Sequence, residues 1–165
     1  MLQSLHEWAD AGRPVYAECG GLMYLSRGIY DFNGRFHPMA GVFPFRTKMT
    51  EGRMRLGYRE VKLLKDTFLG RSGDAVRGHE FHYSEIAGRG REIRGGGAGL
   101  WNVYSVLNSR GEEVPCNGYM YKNTLASYVH VHFGSSPGIA ENFIRFTKTN
   151  NTIDHGGHRE KIRED

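Results

Sequence analysis

The sequence predicts a mixed α/β domain with a large antiparallel β component, and three observations carry that expectation. Helix-compatible apolar spacing is confined to three short segments. Aromatic and β-branched runs punctuated by turn residues fill the stretch from Gly41 to Tyr128. The connections between those runs are short, which favours antiparallel neighbours, because a parallel pair needs a long crossover. In order, Leu2, Leu5, Trp8 and Ala9 set a helix over Leu2–Ala11, with Gly12 as its stop. "PVYA", from Pro14, reads as a short strand opened by proline. Leu22, Tyr24, Leu25 and Ile29 share a helical register, so a helix starts at Gly20 or Gly21. Asn33-Gly34, set between aromatic residues, is a strong hairpin signal. Strands are expected in "GVFPFRTKMT", "RMRLGYREVKLL", "AVRGHEFHYSEI", "LWNVYSVLN", "VPCNGYMYKN" and "LASYVHVHF". A last helix opens at "SSP", with Ser136 as cap and Pro137 in the first turn. The polar residues 150–165 read as a disordered tail, its histidines facing solvent, and residues 1–149 as one domain.

Bulk properties narrow the function classes. A chain of 165 residues with 39% hydrophobic content can bury one core. Cys19 and Cys116 are too few for a disulfide framework, and the opening "MLQSLHEWADAG" is too polar for a secretory signal, so a reducing cytoplasm is the expected compartment. No apolar run approaches the roughly 18 residues of a membrane span, so no membrane partner is expected. The net charge of +4 and the pI of 9.1 raise the question of nucleic acid. The arginine-rich "GRGREIRGGGAG" (Gly88 to Gly99) lacks interleaved aromatic residues and reads as a solvated surface loop, so no nucleic-acid partner is expected.

Chemistry concentrates at Cys19. A nucleophile exposed on a sharp strand-to-helix turn needs small residues two places before and two after it, where the backbone nearly meets itself. Ala17-Glu18-Cys19-Gly20-Gly21 meets that need. A helix N-terminus behind the sulfur would lower the thiol pKa, and the Gly20 N–H would hold an oxyanion. A thiolate nucleophile calls for an imidazole placed by the fold. Strand alternation puts His130 and His132 on one face, and Glu80 and His82 on one face with His79 on the other.

"YAECGGLMYL", "GYREV", "RGHEFHYS" and "ASYVHVHF", in this order, closely resemble the C-terminal glutaminase domain of the cobyrinic acid a,c-diamide synthases, a group of triad-type (class I) glutamine amidotransferases. The resemblance runs from Leu2 to about Phe146. It implies a flavodoxin-like mixed sheet with flanking helices, incomplete at the N-terminus. It implies glutamine as substrate, Cys19 as the nucleophile that forms a glutamyl thioester, Gly20 as oxyanion donor and His130 as general base, with His132, Glu80 and His82 as possible supports. The acid that related amidotransferases carry two residues after the histidine is replaced here by His132. The resemblance further implies ammonia transfer to a corrinoid or related tetrapyrrole carboxylate in cobalamin biosynthesis. ATP and Mg2+ would act in a synthetase domain outside this chain, whose own sequence has no G-x-x-x-x-G-K-[ST] motif, and no cofactor is expected here. Two other readings stay open: a metal-binding module built on His130, His132 and His82, and a non-catalytic or degenerate amidotransferase module. Assembly into homo-oligomers is also left open.

Overall fold

A computed structural model describes residues 1–52, 54–87 and 99–150. The arginine-glycine segment, apart from Gly99, and residues 151–165 of the expected tail lie outside the described residues.

The helical spacing at the start forms α1 (Leu2–Asp10), which turns its fully buried Ala9 into the core. It is followed by β1 (Val15–Glu18) and α2 (Gly20–Leu25). Ile29, expected in the register of α2, belongs instead to β2 (Gly28–Tyr30). The cause is the fully buried Ser26, whose hydroxyl donates to the Met23 carbonyl at 2.7 Å and accepts from the Gly28 N–H at 3.1 Å, ending the helix. β2 pairs with β3 (Phe36–Pro38) in the expected hairpin. Its turn is organised by the Asp31 carboxylate, which accepts the N–H groups of Asn33 and Arg35, each at 2.9 Å, while Gly34 takes a φ of 75°. Of "GVFPFRTKMT" only the end is a strand, β4 (Arg46–Met49). The preceding residues are spent on burying Phe43 and Phe45, which stack at 5.4 Å, both against Tyr119.

Further along, β5 (Arg55–Leu63), β6 (Ala75–His82), β7 (Ser84–Ala87), β8 (Leu100–Asn102), β9 (Tyr104–Asn108), β10 (Gly118–Tyr121), β11 (Thr124–Ser127) and β12 (His130–Val131) complete the β structure. They form three four-stranded sheets in the orders β1-β11-β10-β8, β12-β6-β5-β9 and β3-β2-β4-β7. Only β1 with β11 and β2 with β4 run parallel among the described pairings.

Three runs that read as single strands each break and serve two sheets: β6 into β7, β8 into β9, and β11 into β12. Each break is marked by a polar side chain that takes over backbone groups the ladder releases. Asn102 Oδ1 accepts the N–H groups of Tyr104 and Gly118, and Ser127 Oγ accepts that of Val129. At the third break, His82 Nδ1 pairs with the Ser84 carbonyl at 2.8 Å. A short 3-10 turn at Phe133–Ser135 leads into α3 (Pro137–Asn150), which therefore takes in Asn150, the first residue assigned to the tail. Phe143 of α3 lies 5.8 Å from Tyr16 of β1 and 5.5 Å from Phe68, measured between ring centroids. That aromatic cluster docks α3 beside the strand that leads to Cys19.

Candidate functional site

β1 delivers Cys19 to the start of α2, in the expected strand-to-helix turn. Its backbone sits at φ 50°, ψ −106°, and it is one of two described non-glycine residues with positive φ. Such a conformation costs of order 1–3 kcal/mol and persists only where surrounding structure enforces it. Here the Cys19 N–H donates to the Ser127 carbonyl at 2.8 Å, and the Cys19 carbonyl accepts from Met23 at 3.2 Å. A Cβ added to Gly21 would lie 3.0 Å from that of Ala17, so the small residues on either side of the cysteine face each other across the turn.

The half-buried thiol points at the Phe81 carbonyl, with Sγ 3.7 Å from the oxygen. Its pKa is raised, against the expectation of a lowered one. Burial is the main cause, and the negative charges of Glu18 and Glu80 add to it, while the Gly20 N–H acts the other way. α2 has only six residues, so its N-terminus offers little against desolvation. Cys116 is buried, and its thiol is pushed up to about 12, chiefly by burial and then by Glu80.

His130, half-buried at the start of β12, pairs across the ladder with His79 of β6, and the two rings stack at 4.9 Å. β12 lies so close to β6 that a Cβ at Gly78 would run into the His130 carbonyl oxygen. Phe81, whose carbonyl faces Sγ, stands two residues beyond His79 on the same strand, so β6 carries the partners of both Cys19 and His130. Sequence reasoning missed Glu18. Its Oε2 lies 3.6 Å from His130 Nδ1, while Oε1 accepts the Tyr16 hydroxyl and the Val131 N–H, each at 2.7 Å. The signal available was an acid at a strand end, on the same strand face as Tyr16 and directly before the cysteine.

The other expected supports are placed apart from His130. The strand ends at Val131, and His132 is exposed, its ring over Gly134 at the 3-10 turn. Glu80 and His82 share the inner face of β6, opposite the face of His79 and its partner His130. There Glu80 bonds Arg59 of β5 through one oxygen and His82 Nε2, at 3.1 Å, through the other. Burial disfavours the Glu80 carboxylate, yet the His82 and Arg59 contacts outweigh it and hold its pKa at about 2. His82 also stacks on Tyr128 at 3.9 Å, and the group lines a cavity of 630 Å³ together with Asn102 and Cys116. Among the described residues no group of three or more His, Cys, Asp or Glu side chains is placed to hold a metal ion, so the three imidazoles of the metal-binding reading do not converge. Likewise, no described helix is long and apolar enough to cross a membrane.

Residues 1–138 match the family model of the CobB/CobQ-like glutamine amidotransferase domain. The cobyrinate a,c-diamide synthase of Syntrophotalea carbinolica is 43% identical over 148 residues, covering 90% of this chain and 31% of that protein. The cobyrinate a,c-diamide synthase of Caldanaerobacter subterraneus is 41% identical over 133 residues, covering 80% of this chain and 27% of the relative. The chain thus spans about three tenths of the length of these curated relatives. A crystal structure of a glutamine amidotransferase superposes with a TM-score of 0.56 at 15% identity, covering 89% of this chain and 68% of that one, a likeness of fold.

Proposed function

The chain belongs to the CobB/CobQ-like glutamine amidotransferase domain family, and from that premise we propose that it is the glutaminase part of a cobyrinate a,c-diamide synthase. The observation that carries the reading is the strained turn at Cys19, which presents a thiol between two facing small residues in a chain of this family. In the proposed reaction His130 takes the Cys19 proton and the sulfur adds to the carboxamide carbon of glutamine. The Gly20 N–H, at the first position of α2, holds the oxygen that becomes negative. Collapse of the adduct breaks the C–N bond. His130 returns the proton to the leaving nitrogen, which departs as ammonia, and water hydrolyses the thioester to glutamate and free thiol.

The raised thiol pKa is compatible with this scheme, because the proton is transferred as attack occurs and no standing thiolate is needed. Ammonia would pass to an acetate carboxylate of a corrinoid or related tetrapyrrole. ATP, Mg2+ and the acceptor are assigned to the part of such enzymes that this chain does not cover.

The test uses the complete enzyme and compares glutamine with ammonia as nitrogen source. Cys19→Ala and His130→Ala should each abolish glutamine-dependent amidation and leave ammonia-dependent amidation nearly intact. Loss of both activities in His130→Ala would assign that residue a structural role and defeat the scheme.

A further inference from the structure

We propose that Glu18 is the positioning residue for His130, doing from the nucleophile's own strand what an acid two residues after the histidine does in related amidotransferases. The inference rests on the reading of Cys19 and His130 as nucleophile and base. A base acting through one ring nitrogen needs the other held by an acceptor, which fixes the tautomer and the ring plane. His132, in the usual place of that acid, is a base and is exposed. Glu80 is committed to Arg59 and His82 on the far face of β6. Glu18 is the carboxylate that faces Nδ1, at an ion-pair distance of 3.6 Å.

Its geometry suits a fixed support. Oε1 is saturated by the Tyr16 hydroxyl and the Val131 N–H, which leaves Oε2 for the imidazole. Val131 directly follows His130, so one carboxylate grips the backbone beside the base and faces its ring. Glu18 directly precedes Cys19, and the bond to Val131 spans 113 positions of sequence. The same side chain therefore ties the strand of the nucleophile to the strand of the base. With Nδ1–H turned to Glu18, the Nε2 lone pair is left for the thiol proton.

The experiment compares wild type with Glu18→Gln, which keeps an acceptor for Tyr16 and Val131 but removes the charge facing the ring. Long-range proton–nitrogen spectra of the full chain, labelled with nitrogen-15 histidine, report the His130 tautomer. Glutamate release, where the chain shows it, reports kcat and KM. Wild type should hold His130 with the proton on Nδ1. Glu18→Gln should shift the proton towards Nε2 and lower kcat about 100-fold, with KM for glutamine changed less than about twofold. Should Glu18→Gln fail to fold by circular dichroism, Tyr16→Phe, which frees one anchor of the same carboxylate, should shift the tautomer part of the way. A wild-type proton on Nε2, or a spectrum unchanged in both variants, would overturn the proposal. Glutamate release that survives Cys19→Ala would instead overturn the assignment of Cys19 as nucleophile, and with it the proposed thioester scheme, and leave the Glu18–His130 pairing standing in the spectra.

Discussion

Replacing Glu80 by glutamine should cost more stability at neutral pH than in acid. The side chain of Glu80 is 6% exposed and that of its partner Arg59 10%, so the variant leaves a nearly buried guanidinium facing a neutral amide. The carboxyl is held at about 2 in the fold against 4.5 for an unperturbed group. Because the folded value is the lower one, the stabilisation is complete above the unfolded value and is lost as pH falls towards the folded one. At about 1.4 kcal/mol per pH unit, the gap corresponds to about 3 kcal/mol at neutral pH. By pH 3 about 2 kcal/mol of this should be gone. Urea unfolding followed by the fluorescence of Trp8 and Trp101, in both proteins at pH 6, 4.5 and 3, measures the difference directly. Asp10 and Asp31, whose pKa values are also lowered, titrate in both proteins and cancel. The difference between the proteins should shrink steadily towards pH 3. A difference of equal size at pH 6 and pH 3 would refute the idea that an ionised Glu80 is what the buried cluster stabilises.

Three further outcomes are expected. Gly78→Ala should force β12 off β6, since the added methyl meets the His130 carbonyl, and the proposed glutaminase activity should drop at least tenfold in a protein that still folds; wild-type activity would show that the close approach does not position His130 for the proposed role. Thr124→Val should raise stability by about 1 kcal/mol, because the Thr124 hydroxyl is fully buried without a hydrogen-bond partner among the described residues; a lowered urea midpoint would count against this. Alkylation of Cys19 by a neutral electrophile should rise about tenfold per pH unit from pH 7 to 8.5, given its raised pKa, while Cys116 stays unmodified until the chain unfolds. Peptide mapping that finds Cys116 modified as fast as Cys19 would refute the burial argument.

The turn at Cys19 was legible because its demand for small residues at 17 and 21 is local and steric, and a local rule can be read from five residues. Class and hairpin were legible for similar reasons: spacing and turn chemistry act over short range. The strand breaks were not, although Asn102 and Ser127 stood as polar residues inside largely apolar runs. Which sheet each half joins depends on partners far away in sequence, and alternation alone carries no such information. The same limit hid the division of the site. Alternation correctly separated Glu80 and His82 from His79, but nothing in the chain announced that His130 would pair with His79. Glu18 escaped notice because its significance lies in a contact with Val131, 113 positions away. The thiol shift was misjudged because a helix start was visible in sequence, whereas its six-residue length and the burial of the sulfur were not.

The three divided strands also bear on how the molecule comes apart. A sheet whose strands end within it can fray alone, and its amides then exchange at their own free energy of opening. Here β6, β9 and β12 of one sheet continue, after a residue or two, into β7, β8 and β11 of the other two. Opening that sheet pulls on the ends of both neighbours, so small separate openings carry a cost shared across the fold. Amide exchange in β5, β10 and β4, one strand from each sheet, should accordingly converge on a single global value, and denaturation should run as one transition that the strand leading to Cys19 and the strand carrying His130 enter together.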